Sequence, residues 1–173
     1  MKVAVLKERR AGETRVAATP ETVKKLIGMG CTLAVEAGAG LASGFTDAAF
    51  AEAGASLAAD AAAALAGANI VLKVRAPLAA GEGALDELAL IPRGALLIAT
   101  LAADADAAGR YAAAGIDACS MELLPRITRA QSMDVLSSQA NLAGYRAVVE
   151  ASTAYDKGFP MMMTAAGTVP AAN

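Results

Sequence analysis

Residues 2–36 read KVAVLKERRAGETRVAATPETVKKLIGMGCTLAVE, and the order of physical signals along them decides the fold. Lys2–Leu6 is a short apolar run carrying two β-branched valines, which predicts a strand. Thr19 offers an oxygen to the unpaired N–H groups of a helix start, Pro20 suits the first helical position, and Glu21 suits the positive end of the helix dipole. A helix is therefore expected through VKKLIGMG, with Lys24 and Lys25 on its solvated face and Gly28 and Gly30 closing it. Cys31–Glu36 then returns to a strand. The charged connection KERRAGETR, residues 7–15, would lie above the carboxyl end of the first strand, the edge where open α/β sheets place ligands.

The same alternation runs outward from this unit. Thr46 starts a short helix in TDAAFAEAG, and Ser56–Ala66 reads as another helix. Asn69–Val74 is an apolar strand leading into Arg75 and Pro77, followed by a short helix over 82–90. Gly94–Thr100 predicts a fourth strand, Asp104–Ala114 a helix, and Gly115–Ser120 a fifth strand. The expected class is α/β, a parallel-sheet, Rossmann-like or flavodoxin-like domain with helices on both faces. Right-handed crossovers would bring residues 7–15, the segment after Lys73 and the polar run after Met121 to one edge. Lys73, at the mouth of its strand, either holds an anionic group or snorkels to solvent, and snorkelling is the plainer expectation. The glycines of AGAGLASG, residues 37–44, fit neither GxGxxG nor GxxxxGK[ST], so a turn rather than a phosphate cradle is expected there.

Composition narrows the chemistry. With 173 residues the chain can bury a real core, and 56% apolar residues argue against disorder. A formal net charge of -2 gives no electrostatic basis for binding nucleic acid. The two cysteines, Cys31 and Cys119, suggest neither a disulfide framework nor a metal site, and the absence of histidine removes histidine general-base chemistry and histidine-ligated zinc. No signal peptide or membrane-spanning run is evident, so the expected compartment is the cytoplasm.

Against this apolar background, Pro125–Arg146 (PRITRAQSMDVLSSQANLAGYR) concentrates polar side chains and reads as a site or a domain junction. Thr128 and Gln131 stand at capping-box spacing, so a long helix is expected from Thr128 through AGYRAVVEAS, with Asp134 and Ser137 on one face. Leu136, Ala140, Ala143, Ala147 and Val148 of that helix would face water. The expected organisation is one α/β domain over 1–127, and over 128–173 the first long helix of a second, truncated Rossmann domain.

The segments RVAATPETVKKL, VEAGAG, VLKVRAP, MELLPRITRAQSMDVLSSQANLAGYRAVVEA and MMMTAAGTVP together resemble the amino-terminal part of the NAD(H)-binding alpha subunit of the proton-translocating NAD(P) transhydrogenase family. The resemblance implies hydride transfer between NAD(H) here and NADP(H) on a partner domain. It also implies a homodimer of the intact subunit, together with NADP(H)-binding and membrane-spanning partner subunits. The protein would then be cytoplasmic, peripheral to the cytoplasmic face of the inner membrane. By the same resemblance Arg126, Gln131, Asp134 and Ser137 contact the cofactor, and Gln131 and Asp134 serve the transfer step by orienting rings rather than as acid or base. The glycine-rich dinucleotide fingerprint of the family lies beyond residue 173, so the isolated chain is expected to be inactive.

The layout also resembles alanine dehydrogenase, whose carboxylate-holding arginine and lysine match Arg15 and Lys73 as a vestigial site. That enzyme's catalytic histidine has no counterpart in LIATLAADAD. An alanine-dehydrogenase-like oxidoreductase and a non-catalytic interaction domain that binds no nucleotide are the two alternatives.

Overall fold

The computed structural model describes residues 1–102, 105–156 and 158–171. The chain divides into two compact units, Met1–Pro125 and Arg126–Asn173.

The first unit is built on a six-stranded, wholly parallel sheet. In chain order its elements are β1 (Lys2–Val5), α1 (Pro20–Gly28), β2 (Thr32–Glu36), α2 (Asp47–Glu52), β3 (Ser56–Ala58), α3 (Ala61–Leu65) and β4 (Ile70–Arg75). They continue with α4 (Glu87–Leu90), β5 (Leu96–Thr100), α5 (Ala105–Ala114) and β6 (Asp117–Ser120). The strand order is β3-β2-β1-β4-β5-β6. Growth therefore reverses between β1 and β4, which pair with Val3 opposite Ile70 and Val5 opposite Leu72.

Alternation along β1 builds both halves of the core. Val3 and Val5 join Val23, Val35 and Phe50 on one face, while Ala4 and Leu6 join Leu65, Val71, Leu97 and Tyr111 on the other. A parallel sheet covered by helices on both faces requires this arrangement. Local signals agree with it. Thr19 Oγ1 accepts the Thr22 N–H at 3.3 Å, and Thr46 and Asp60 cap α2 and α3 in the same way. After α1 the chain reverses at Gly30, whose φ of 86° favours glycine.

Two expectations for this unit need correction. Ser56–Ala66 is not one helix. Ser56–Ala58 is the edge strand β3, paired with Ala34–Glu36, and only Ala61–Leu65 is helical. Alanine-rich sequence favours helix locally, and the open edge of β2 overrides that preference. The helix expected over 82–90 is confined to Glu87–Leu90, where Asp86 caps it. The expected helix start at Asp104 lies outside the described residues; the helix is described from Ala105.

The second unit opens with a 3-10 turn at Thr128–Met133, followed by α6 (Val135–Ala154) and an antiparallel hairpin of β7 (Met162–Thr164) and β8 (Gly167–Val169). The long helix does not begin at Thr128. No side-chain cap forms at the start of the 3-10 turn, and Asp134 caps α6 instead. No residue of α6 is buried, and Leu136, Leu142, Tyr145 and Val148 are exposed. Among the described residues no helix is long and apolar enough to cross a membrane.

Candidate functional site

Two polar groups stand out, one in each unit. In the first, the carboxyl edge where strand order reverses holds a buried ionic cluster made by residues after β1, at the ends of β2 and β4, and at the start of α4. Lys73 Nζ lies 3.0 Å from Glu87 Oε1 and 3.7 Å from Glu8 Oε2, and its side chain is 1% exposed. Arg9 donates to Glu87 Oε1 at 2.8 Å and forms an ion pair with Glu36 through its other amino group. Glu87 Oε2 accepts the Leu78 N–H at 2.8 Å, and Glu36 Oε2 accepts the Lys7 N–H at 2.9 Å. The β4–β5 register shifts between Leu72 and Arg75, and Glu8 accepts the N–H groups of Val74 and Arg75 at 2.7 and 3.3 Å there. Arg10 fastens the next segment through Ala76 O, Pro77 O and Glu82.

Lys73 therefore does not snorkel, contrary to the plainer expectation. It is buried because Glu87, fourteen residues on, and Glu8 neutralise it. Arg15 is paired with Glu13 through Nε at 2.8 Å and Nη2 at 2.7 Å, and this pairing holds the Glu13 carboxyl down to about 2. Glu8 adds weakly to the raising of the Arg15 guanidinium, after Glu13, while Lys73 stands 3.7 Å from the Glu8 carboxylate. The AGAG turn consumes its own donors, since the Gly38 N–H goes to the Asp47 carboxylate at 2.9 and 3.1 Å. A methyl group at Gly40 would lie 2.5 Å from the Phe50 ring, so close packing accounts for that glycine.

The second group comprises Arg126, Gln131, Asp134 and Ser137. Asp134 Oδ1 accepts the N–H groups of Leu136 and Ser137, each at 3.0 Å, and Ser137 Oγ donates to Asp134 Oδ2 at 2.6 Å. These bonds, the Ser137 hydroxyl first, hold the Asp134 carboxyl below the ordinary aspartate range, and Arg126 acts in the same direction. With its proton committed to Asp134, the Ser137 oxygen presents lone pairs outward. Gln131 and Arg126 are exposed, and their side chains make no hydrogen bond or ion pair among the described residues. The set thus offers a cation, an amide and an acceptor, of which Asp134 and Ser137 are fixed by the helix cap.

Sequence reasoning missed Glu8, Arg9, Glu36 and Glu87. A charged residue at or near the carboxyl end of an apolar strand, as Glu36 is in β2 and Lys73 in β4, is the available signal, because parallel strands bring such ends to one edge. Among the described residues no group of three His, Cys, Asp or Glu side chains is placed to hold a metal.

The family model described as "Alanine dehydrogenase/PNT, N-terminal domain" matches residues 4–143. The chain is 53% identical over 174 residues to an NAD(P) transhydrogenase subunit alpha polypeptide of Rhodospirillum rubrum, covering 99% of this chain and 45% of that protein. It thus spans about half the length of that curated relative. The crystal structure of transhydrogenase from Sinorhizobium meliloti superposes with a TM-score of 0.89 at 49% identity, covering 99% of this chain and 50% of that one. An L-alanine dehydrogenase structure gives a TM-score of 0.66 at 30% identity over 75% of this chain and 34% of that one.

Proposed function

This chain belongs to the alanine dehydrogenase/PNT N-terminal domain family, and from that membership we propose that it is the amino-terminal part of an NAD(P) transhydrogenase alpha subunit. The observation that carries the choice within the family is the 53% identity to a transhydrogenase subunit across 99% of the chain. Residues 1–127 form one domain in this reading, and 128–173 begin the NAD(H)-binding domain. The subunit works as a homodimer with NADP(H)-binding and membrane-spanning partner subunits, which hold it at the cytoplasmic face of the inner membrane and couple the reaction to proton movement.

NAD(H), when bound, supplies the hydride, and NADP(H) on the partner receives it or gives it back. The residues of the second unit fit the nicotinamide end of such a cofactor. Ser137 Oγ, its proton held by Asp134, can accept from a carboxamide N–H, while Gln131 and Arg126 offer donors. None of these groups needs to move a proton, because direct hydride transfer asks the protein to align two rings and exclude water. Catalysis without histidine is compatible with that task.

Amino-acid dehydrogenation is disfavoured because the chain contains no histidine and Lys73 is already engaged by Glu87. The subunit carrying this chain, combined with an NADP(H)-binding partner, is expected to reduce an NADP+ analogue with NADH and to show no pyruvate-dependent NADH oxidation with ammonia present. Pyruvate-dependent oxidation would establish the alanine-dehydrogenase-like alternative. Failure of both assays would favour the interaction domain that binds no nucleotide.

A further inference from the structure

The ionic cluster at the sheet edge contains three carboxylates, Glu8, Glu36 and Glu87, against two cations, Arg9 and Lys73. Its side chains are buried except for Arg9, which is 22% exposed. Arg9 serves Glu36 and Glu87, and Lys73 serves Glu87 at 3.0 Å and Glu8 at 3.7 Å. Glu8 is thus the carboxylate with the most distant cation, and that cation is already matched. Its nearer partners are the neutral N–H groups of Val74 and Arg75. A buried negative charge in excess of its counterions is costly, and a proton is the smallest counterion that fits there.

We propose that Glu8 is a buried proton-binding site whose occupancy sets how firmly Lys73 and Glu87 hold the 76–87 segment on the sheet edge. With Glu8 protonated, two cations face two carboxylates and Lys73 belongs to Glu87. With Glu8 ionised, Lys73 is shared, which weakens its hold on the carboxylate that also receives the Leu78 N–H. The charged groups acting on Glu8 are Lys73 from β4 and Glu87 from α4, with Arg9 and Glu36 one pairing further on, while Arg15 from its own loop is matched by Glu13 and leaves the balance unchanged. Burial pushes the Glu8 carboxyl above the ordinary glutamate value and Glu87 adds to this, while Lys73 and the two N–H groups oppose it. A carboxyl that holds its proton to higher pH when folded than when unfolded makes stability fall as pH rises from the ordinary value to the raised one.

The test is a carbon-detected NMR titration of the glutamate carboxyls in the 173-residue chain, assigned through the backbone and repeated on Glu8→Gln. The expected result is a Glu8 midpoint above the ordinary glutamate range, with the Leu78 amide resonance following the same midpoint and losing that step in Glu8→Gln. The melting-temperature difference between the variant and the wild type should also shift in the variant's favour from about pH 5 to about pH 8, the direction that a raised carboxyl midpoint dictates. An ordinary or lowered Glu8 midpoint would overturn the proposal, as would a Leu78 amide that ignores it. Backbone assignment keeps the wild-type titration decisive even if the variant does not fold.

Discussion

Glu87→Ala is expected to lower the unfolding free energy of the chain by about 3 to 5 kcal/mol, the range for removing one partner of a buried ion pair. Glu87 is fully buried, and three donors converge on it: Lys73 Nζ, Arg9 Nη1 and the Leu78 N–H. Alanine would leave Lys73 with the Lys7 carbonyl at 3.4 Å and Glu8 at 3.7 Å, and the Leu78 N–H without an acceptor. Glu87→Gln keeps an acceptor for Leu78, so its loss should be smaller. Urea unfolding of both variants measures the difference. A loss below about 1 kcal/mol for alanine, the size seen for exposed pairs, would show that water reaches Lys73 and that the cluster does not hold the edge together.

The polar segment of the other unit carries an equally large expected effect, in the intact subunit with its NADP(H) partner. Gln131→Ala and Asp134→Ala are each expected to lower the hydride-transfer rate about 100-fold, the scale of roughly 1 Å of misalignment between reacting groups. In the proposed reading most of the dinucleotide is held by other residues, so NADH affinity should change far less. Asp134 also caps α6, so alanine there removes a cap as well as a charge. Asp134→Asn separates the two, since asparagine caps well without the charge. Stopped-flow rates and NADH titrations of the three variants test the orienting role, and equal losses in rate and affinity would contradict it.

The strands with long apolar runs are legible in the sequence because burial on both faces leaves no other pattern for a parallel sheet. β3 is not legible. Three residues in an alanine-rich stretch carry no period, and only the free edge of β2 turns them into a strand. The start of α6 is hidden for a related reason. Thr128 and Gln131 have capping-box spacing, yet the 3-10 turn ends at Met133, and Asp134 gives its carboxylate to two N–H groups and to Ser137. The placing of Asp134 and Ser137 together does follow from their three-residue spacing. The partners of Lys73 lie beyond sequence reasoning. Glu87 reaches it from a helix of only four residues, and Glu8 reaches it through the irregular end of β4. The Arg9–Glu36–Glu87 pairings likewise depend on strand order, which no local pattern encodes.

The proposed direct hydride transfer between two nicotinamide rings, with residues 126–137 orienting them, is tested most directly by following the transferred atom itself. The measurement combines the intact subunit and its NADP(H)-binding partner with NADH deuterated at the transferable position of the ring and with NADP+ in ordinary water. Mass spectrometry of the resulting NADPH is expected to find the deuterium retained in the product, and Gln131→Ala is expected to slow its appearance without releasing label to solvent. Deuterium lost to water, or NADPH that never gains label while NADH is consumed, would contradict direct transfer.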